Sequence, residues 1–258
     1  MALAVLIVFL GPALASIGYR ALTDQPHWRD ASHAATGLAP SPAQAPEAVV
    51  QVYAARTWGL RGAIAVHTWI AVKRSNADRY VRYEVIGWAL RRGGTAVVKR
   101  LGTPDAEWFS NPPQLLVDRR GPEVEALIDR IEAAVAAYPY AGEYRTLPGP
   151  NSNTFTGFVG RRVPELRLDL PPTAIGKDFL ADGALIGSAP SGTGYQVSIW
   201  GLAGVLAALH EGVEVNLFGL AVGVRFKPLA IKLPGLGTWP RRATAEIHNT
   251  SIRSTRSG

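Results

Sequence analysis

Cysteine is absent from all 258 residues. Its absence excludes a disulfide, a thiolate metal site, a redox dithiol and a cysteine nucleophile. It leaves the compartment open, since a thiol-free chain suits oxidising and reducing surroundings alike. Charge is also sparse, at 18 % of residues against 47 % hydrophobic, which excludes a disordered protein. Lysine occurs five times against 22 arginines, and basic residues cluster no further than pairs such as Arg91-Arg92, Arg119-Arg120 and Arg161-Arg162. Nucleic-acid binding needs denser basic patches with interleaved aromatics, so no nucleic-acid partner is expected. Of the formal charge of +7, residues 240–258 carry +3 and the rest +4. That mild excess reads as a solvated surface, and it also suits a neighbouring anionic membrane.

What is present suits one domain with appendages. Seven Trp, eight Tyr and seven Phe supply core volume, and 27 Gly with 19 Pro call for many turns and short elements. Ala2 to Ile17 reads ALAVLIVFLGPALASI, with no charge and no polar face. Residues 1–20 are therefore read as a signal peptide or an uncleaved membrane anchor. The small-x-small Ala13-Leu14-Ala15 favours cleavage, and the missing basic n-region favours an anchor. Either places the body outside the cytoplasmic membrane, inner-membrane anchored or periplasmic. Residues 21–48 form a Pro- and Ala-rich linker in which Asp24, His27, Asp30 and His33 recur at every third position. Those types at that spacing suit a metal on a short helix, and equally a solvated linker with chance histidines.

The expected fold class is α+β: a small antiparallel sheet with packed helices, followed by a glycine-rich β extension. The core spans 49–165. Strands are expected at Val49–Ala54, Gly62–Lys73, Arg79–Ala89 and Thr95–Leu101, the last three forming a meander. The period then changes. Val124, Leu127, Ile128, Ile131, Val135 and Tyr138 predict a helix over Pro122–Tyr138. Asn151 suits an N-cap, which puts Ser152 in the first turn of a short helix. Residues 166–239 form the β extension, within which SIWGLA at 198–203 is echoed by NLFGLA at 216–221. That echo suggests paired strands folding back across His210-Glu211-Gly212. Residues 240–258 are read as a disordered basic tail.

Without cysteine, a nucleophile must be Ser, Thr, Lys, Tyr or a carboxylate, and Ser needs a base. Of five histidines, His27 and His33 fall in the linker and His248 in the tail, leaving His67 and His210. His67 sits mid-strand among apolar residues, as a base or as a hydrogen-bonded core-edge histidine. Ser152 at a helix N-terminus has backbone N–H groups near it that suit an oxyanion; the same Asn-Ser-Asn also suits an ordinary cap and turn.

Several segments carry a resemblance: QPHWRDAS at 25–32, HTWIAVK at 67–73, RYEVIGW at 82–88, GPNSNTF at 149–155 and KLPGLG at 232–237. On these the chain resembles a bacterial family known as domain of unknown function 3750, which implies no activity. More distantly, over about 50–160, the order of motifs resembles circularly permuted papain-like proteins of the NlpC and lecithin–retinol acyltransferase type. Their late motif N-C-E-H-F compares with Asn151-Ser152-Asn153-Thr154-Phe155 here, and Tyr144 with the tyrosine preceding it. This second resemblance implies Ser152 as nucleophile and His67 as base, oriented by Glu84 or Tyr83. Asn151, Asn153 and Thr154 would then line the substrate or oxyanion site. No cofactor and no metal are assigned to it. A serine in a thiol-tuned site usually abolishes activity, so three readings stand. The first is a membrane-anchored serine hydrolase or acyltransferase acting on lipid, lipoprotein or cell-wall ester and amide bonds, with Ser152 and His67 in hydrogen-bond reach. The second is a non-catalytic envelope module binding lipid or peptide, with the pair apart or the cleft filled by Trp69 or Phe155. The third is a metal site on the linker histidines.

Overall fold

The computed structural model describes residues 2–23 and 25–242. Helix α1 spans Ala2–Ala21 and is long and apolar enough to cross a membrane. Its second half lies against the body. Ser16 Oγ donates to Ala63 O at 2.6 Å, and the Arg20 guanidinium donates to Gly59 O, Thr57 O and Asn111 Oδ1.

Two antiparallel sheets with helices make the chain α+β. The first sheet holds β1 (Val49–Arg56), β2 (Val66–Lys73), β3 (Val81–Val85), β4 (Val97–Leu101) and β5 (Gln114–Arg120), in the order β4-β3-β2-β1-β5. The expected strand Gly62–Lys73 starts later, because Gly59–Ala63 winds into a 3-10 turn. There Gly62 has no room for a side chain: a Cβ would fall 2.1 Å from Thr57 O and 2.7 Å from the Arg20 guanidinium. The expected strand Arg79–Ala89 ends at Val85 and turns into a short helix, α2 (Gly87–Leu90). Strand β5 carries no clear strand signal, since its Asp118, Arg119 and Arg120 hide the apolar alternation.

One face of this sheet packs on α3 (Val124–Ala136) and α4 (Ser152–Arg162), burying Val124, Ile128, Ile131, Phe155 and Val159 among Val50, Ile70 and Val72. Helix α3 starts two residues after Pro122, with Glu123 as N-cap. The other face is covered by the segment expected to be a linker and by residues 104–109, closing over Tyr53, Trp69 and Tyr80. Asp105 holds that segment by accepting from the Leu38 and Ala39 backbone N–H groups.

The second sheet is a seven-stranded meander: β6 (Ile186–Ser188), β7 (Gly194–Ile199), β8 (Ala203–Ala208), β9 (Gly212–Leu217), β10 (Leu220–Phe226), β11 (Leu229–Leu233) and β12 (Gly237–Trp239). Its polarity is inverted relative to most half-exposed sheets. Gln196, Leu206, Glu214, Gly223 and Lys232 lie in register on the covered face. Beneath them Lys232 bridges Glu214 and Asp169 at 2.6 Å each, and Lys177 reaches Glu214 at 2.7 Å. The opposite face carries Ile186, Val197, Val205, Val215 and Val222 side by side. The two echoed segments are hairpin turns flanked by strand ends rather than paired strands; β8 and β9 do fold back across residues 209–211. The tail beyond Arg242, with His248, lies outside the described residues.

Candidate functional site

Strands β2 and β3 pair only from Ile70↔Tyr83 to Val72↔Val81 and part beyond Ile70. Between the parted ends opens a cavity of about 850 Å³, with Val66 and His67 on one side and Val85, Ile86 and Gly87 on the other. The α4 N-terminus, with Asn151, Ser152 and Asn153, also lines it. Trp28, Trp58, Trp88, Trp108, Phe109 and Phe218 make its walls strongly aromatic. Arg29, Arg61 and Arg92, all exposed, line it as well, and no carboxylate does among the described residues. Tyr144 closes one side by lying on Gly87, where a Cβ would fall 2.5 Å from its ring.

His67 is buried in a ladder of rings. Trp108 stacks on it at 3.8 Å with planes 13° apart, and Trp88 stacks on Trp108 at 5.8 Å. His67 Nε2 lies 2.8 Å from Glu84 Oε2. Glu84 also accepts from Arg82 at 2.9 Å and from Arg100 at 2.8 Å, while the Arg82 guanidinium lies 4.0 Å over Trp69. Burial works to raise the Glu84 pKa, but the hydrogen bond from His67 and the two guanidiniums outweigh it and hold the carboxyl at about 2. For His67, burial lowers the pKa, Glu84 pulls it up, and Arg82 and Arg100 add to the lowering. Burial and the two arginines together outweigh the pull of the one carboxylate. The ring is therefore neutral, with Nε2–H donating to the ionised Glu84 and Nδ1 carrying the lone pair. Nδ1 has no hydrogen-bond partner among the described residues.

Of the two candidates for orienting His67, Glu84 makes the bond. Tyr83 points through the sheet and donates to Glu132 Oε1, as strand alternation requires. Ser152 is the first residue of α4, and its Oγ has no hydrogen-bond partner among the described residues, His67 included. The two line one cavity from opposite sides of the sheet edge. His67 shares the face of Trp69, while the Thr68 hydroxyl, on the other face, lies 3.1 Å from Ser152 O and 3.0 Å from Asn153 Oδ1.

The side chains of Asn151, Asn153 and Thr154 are engaged in the fold. Asn151 Oδ1 accepts from the Asn153 and Thr154 N–H groups, and its Nδ2 donates to Thr146 O and Ile175 O. Asn153 Nδ2 donates to Val66 O and Ile175 O; Thr154 Oγ1 donates to Gly176 O. Gly176 has φ of +93°, and a Cβ there would fall 2.3 Å from Asn151 Nδ2. Trp69 and Phe155 do not fill the cavity. Trp69 donates to Pro104 O inside the second core, and Phe155 packs edge-on against Tyr138. The linker histidines lie apart in role: His33 lines the cavity beside Phe109, and no group of three or more metal-ligating side chains exists among the described residues. Asp24 lies outside them.

Sequence reasoning missed Trp108, which the fold brings onto His67 from a loop, and Arg100, which reaches Glu84 from β4. Only Arg82, two residues from Glu84 on the same strand face, carried a signal.

The family described as "Protein of unknown function (DUF3750)" matches residues 47–179, just over half the chain. The chain belongs to the DUF3750 family. No curated protein and no solved structure matches it, and the likeness to permuted papain-like proteins is not confirmed. The DUF3750 match contains β1 to α4, with His67, Glu84 and Ser152. The meander and α1 lie outside it.

Proposed function

We propose that this DUF3750 protein is a membrane-anchored module of the bacterial cell envelope that binds an anionic amphiphile, its apolar chain in the aromatic cavity. The observation carrying this reading is the cavity's composition: seven aromatic side chains, three arginines and, among the described residues, no carboxylate. Its volume of about 850 Å³ lies in the usual range for ligand pockets, roughly 300–1,000 Å³. Arginine forks suit phosphate or carboxylate heads. Ser152 Oγ and His67 Nδ1 supply polar contacts in the interior.

The test is titration of the full chain with dodecyl phosphate and with dodecanol, read by tryptophan fluorescence. Dodecyl phosphate binds more tightly, and replacing Arg29, Arg61 and Arg92 by Gln removes the difference. Equal affinity for both probes, or none for either, overturns the reading.

A second reading, acyl transfer or hydrolysis of lipid, lipoprotein or cell-wall bonds by Ser152 and His67, is favoured by one observation. Glu84 fixes the tautomer that puts the lone pair on Nδ1, in the cavity that Ser152 also lines. A fluorophosphonate probe that labels the wild type but neither Ser152→Ala nor His67→Ala supports it; an unlabelled, folded wild type excludes it.

A further inference from the structure

We propose that the exposed face of the seven-stranded sheet, with the three turns at one end, is a docking surface for the lipid bilayer beside α1. This surface meets the cavity at Phe218 and Leu220, which belong to both, and the inference does not need the cavity ligand.

The sheet face is apolar from edge to edge. A second row in register runs through Ala207, Val213, Val224, Ile231 and Trp239, parallel to the row from Ile186 to Val222. No charged side chain stands on this face among the described residues; Ser188, the Tyr195 hydroxyl and the Trp239 indole N–H are its polar groups. Contiguous exposed apolar surface of this kind marks a binding face. The polar residues that alternation would normally turn to water, Gln196, Glu214, Arg225 and Lys232, are instead all buried against the body.

The turns point the same way. The hairpins β7–β8, β9–β10 and β11–β12 bend at one end of the sheet, placing Trp200, Phe218 and Leu236 there, exposed by 62 %, 75 % and 52 %. Trp200 and Gly201 have φ of 49° and 72°, and Phe218 and Gly219 have 53° and 82°. Positive φ at both central residues is the type I′ pattern, which favours Asn or Asp before Gly. A bulky aromatic in that left-handed position is strained. Both turns make the same unfavourable choice, and each presents an aromatic ring at the tip. Tryptophan favours membrane interfaces, and phenylalanine is common on the apolar face of segments that lie in them.

Lipid, rather than a protein, is the occupant because of α1. Pro12, Ala13 and Ser16 pack against Gly235 in the β11–β12 turn, where a Cβ would meet all three within 3.2 Å. The half of α1 from Pro12 to Ala21 therefore lies along the body, about 15 Å at 1.5 Å per residue. The hydrocarbon layer is about 30 Å thick. If α1 spans it, the flank of the body beside that half sits at membrane depth, and that flank carries Leu236 and its neighbouring turns. A protein partner would need polar groups to fix its register, and this face offers almost none. Leu220, on the apolar face, also lines the cavity, so the cavity opens at the edge of the same surface.

The native chain has no cysteine, so single nitroxide labels can be placed without background. The full chain carrying V205C, I231C or F218C, with D78C as an exposed control in the β2–β3 turn, is reconstituted into phosphatidylcholine vesicles containing a minority of phosphatidylglycerol. The proposal expects several-fold greater relaxation by oxygen than by an aqueous nickel chelate at the three sheet positions, and the reverse at D78C. Nickel accessibility equal to that at D78C overturns it. So does protection from both reagents with spin–spin broadening, which would mean a second copy covers the face. V205C and I231C lie on strands and keep the test open if F218C fails to fold.

Discussion

His67 Nε2 and Glu84 Oε2 lie 2.8 Å apart, and the carboxylate that holds the ring is itself held by two guanidiniums. The cluster carries one more positive than negative charge with His67 neutral, so the two partners are unequal. Removing the carboxylate leaves Arg82 buried without a counter-charge; removing the imidazole leaves Glu84 still paired. Glu84→Gln is expected to cost about 3–5 kcal/mol, as breaking a buried ion pair does. His67→Phe, which keeps a ring against Trp108, is expected to cost well under half of that. Urea denaturation of both variants decides it, and a costlier His67→Phe would contradict the charge assignment.

The same burial makes stability depend on pH. His67 is held below the ordinary imidazole value by desolvation, with Glu84 opposing and Arg82 and Arg100 adding to the effect. His210 is lowered to about 3, by burial first and then by Arg242. A base with a depressed folded pKa binds its proton more readily when unfolded. Stability is then full above the unfolded value of about 6.5 and declines as pH falls below it. Glu84, lowered from 4.5 to about 2, adds a second decline between those values. The urea midpoint should drop from pH 7.5 to pH 5.5, and His67→Phe should flatten that slope in part, leaving the share due to His210.

Ser152 and Asn151 are neighbours with opposite expectations. Asn151 makes the α4 cap and ties Thr146 and Ile175 to it. Loss of a cap alone costs about 0.5–2 kcal/mol, and two further buried bonds of about 1 kcal/mol each add to it. Ser152 Oγ makes no hydrogen bond among the described residues, so Ser152→Ala should change stability by less than about 0.5 kcal/mol. Thermal melts of Asn151→Ala and Ser152→Ala separate the two, and an equal loss would mean Ser152 is structural.

The contrast between these neighbours also marks where sequence reasoning reaches. The N-cap at Asn151, the α3 stripe from Val124 to Ile131 and the meander β2-β3-β4 were legible because each depends on local propensity and period. The His67 environment was not. Its partners come from β3, β4 and the loop at Trp108, and the parting of β2 from β3 beyond Ile70 leaves no local pattern. The expected linker illustrates the same limit: proline excluded a regular helix, but what fixes residues 35–45 is Asp105, about 65 residues away. In the meander, alternation located the strands but not which face is buried. The polar face is covered there because Lys177, Asp169 and Arg161 approach from other elements to satisfy it.

Replacing the strained aromatics tests whether that inversion serves binding rather than stability. Trp200 and Phe218 hold φ of 49° and 53° with their rings exposed, so they bury little in return. Left-handed conformations cost bulky residues about 1–2 kcal/mol, and Asn adopts them readily. Phe218→Asn and Trp200→Asn should therefore each raise stability in solution, by about 1 kcal/mol, while weakening association with phosphatidylglycerol-containing vesicles. A trade of that sign is expected where a fold keeps strain for a function. Vesicle flotation of the full chain beside its urea midpoint reads both effects. If the asparagine variants lose stability, the rings pack within the fold and the turns are ordinary; if they gain stability and float as the wild type does, the tips do not enter the bilayer.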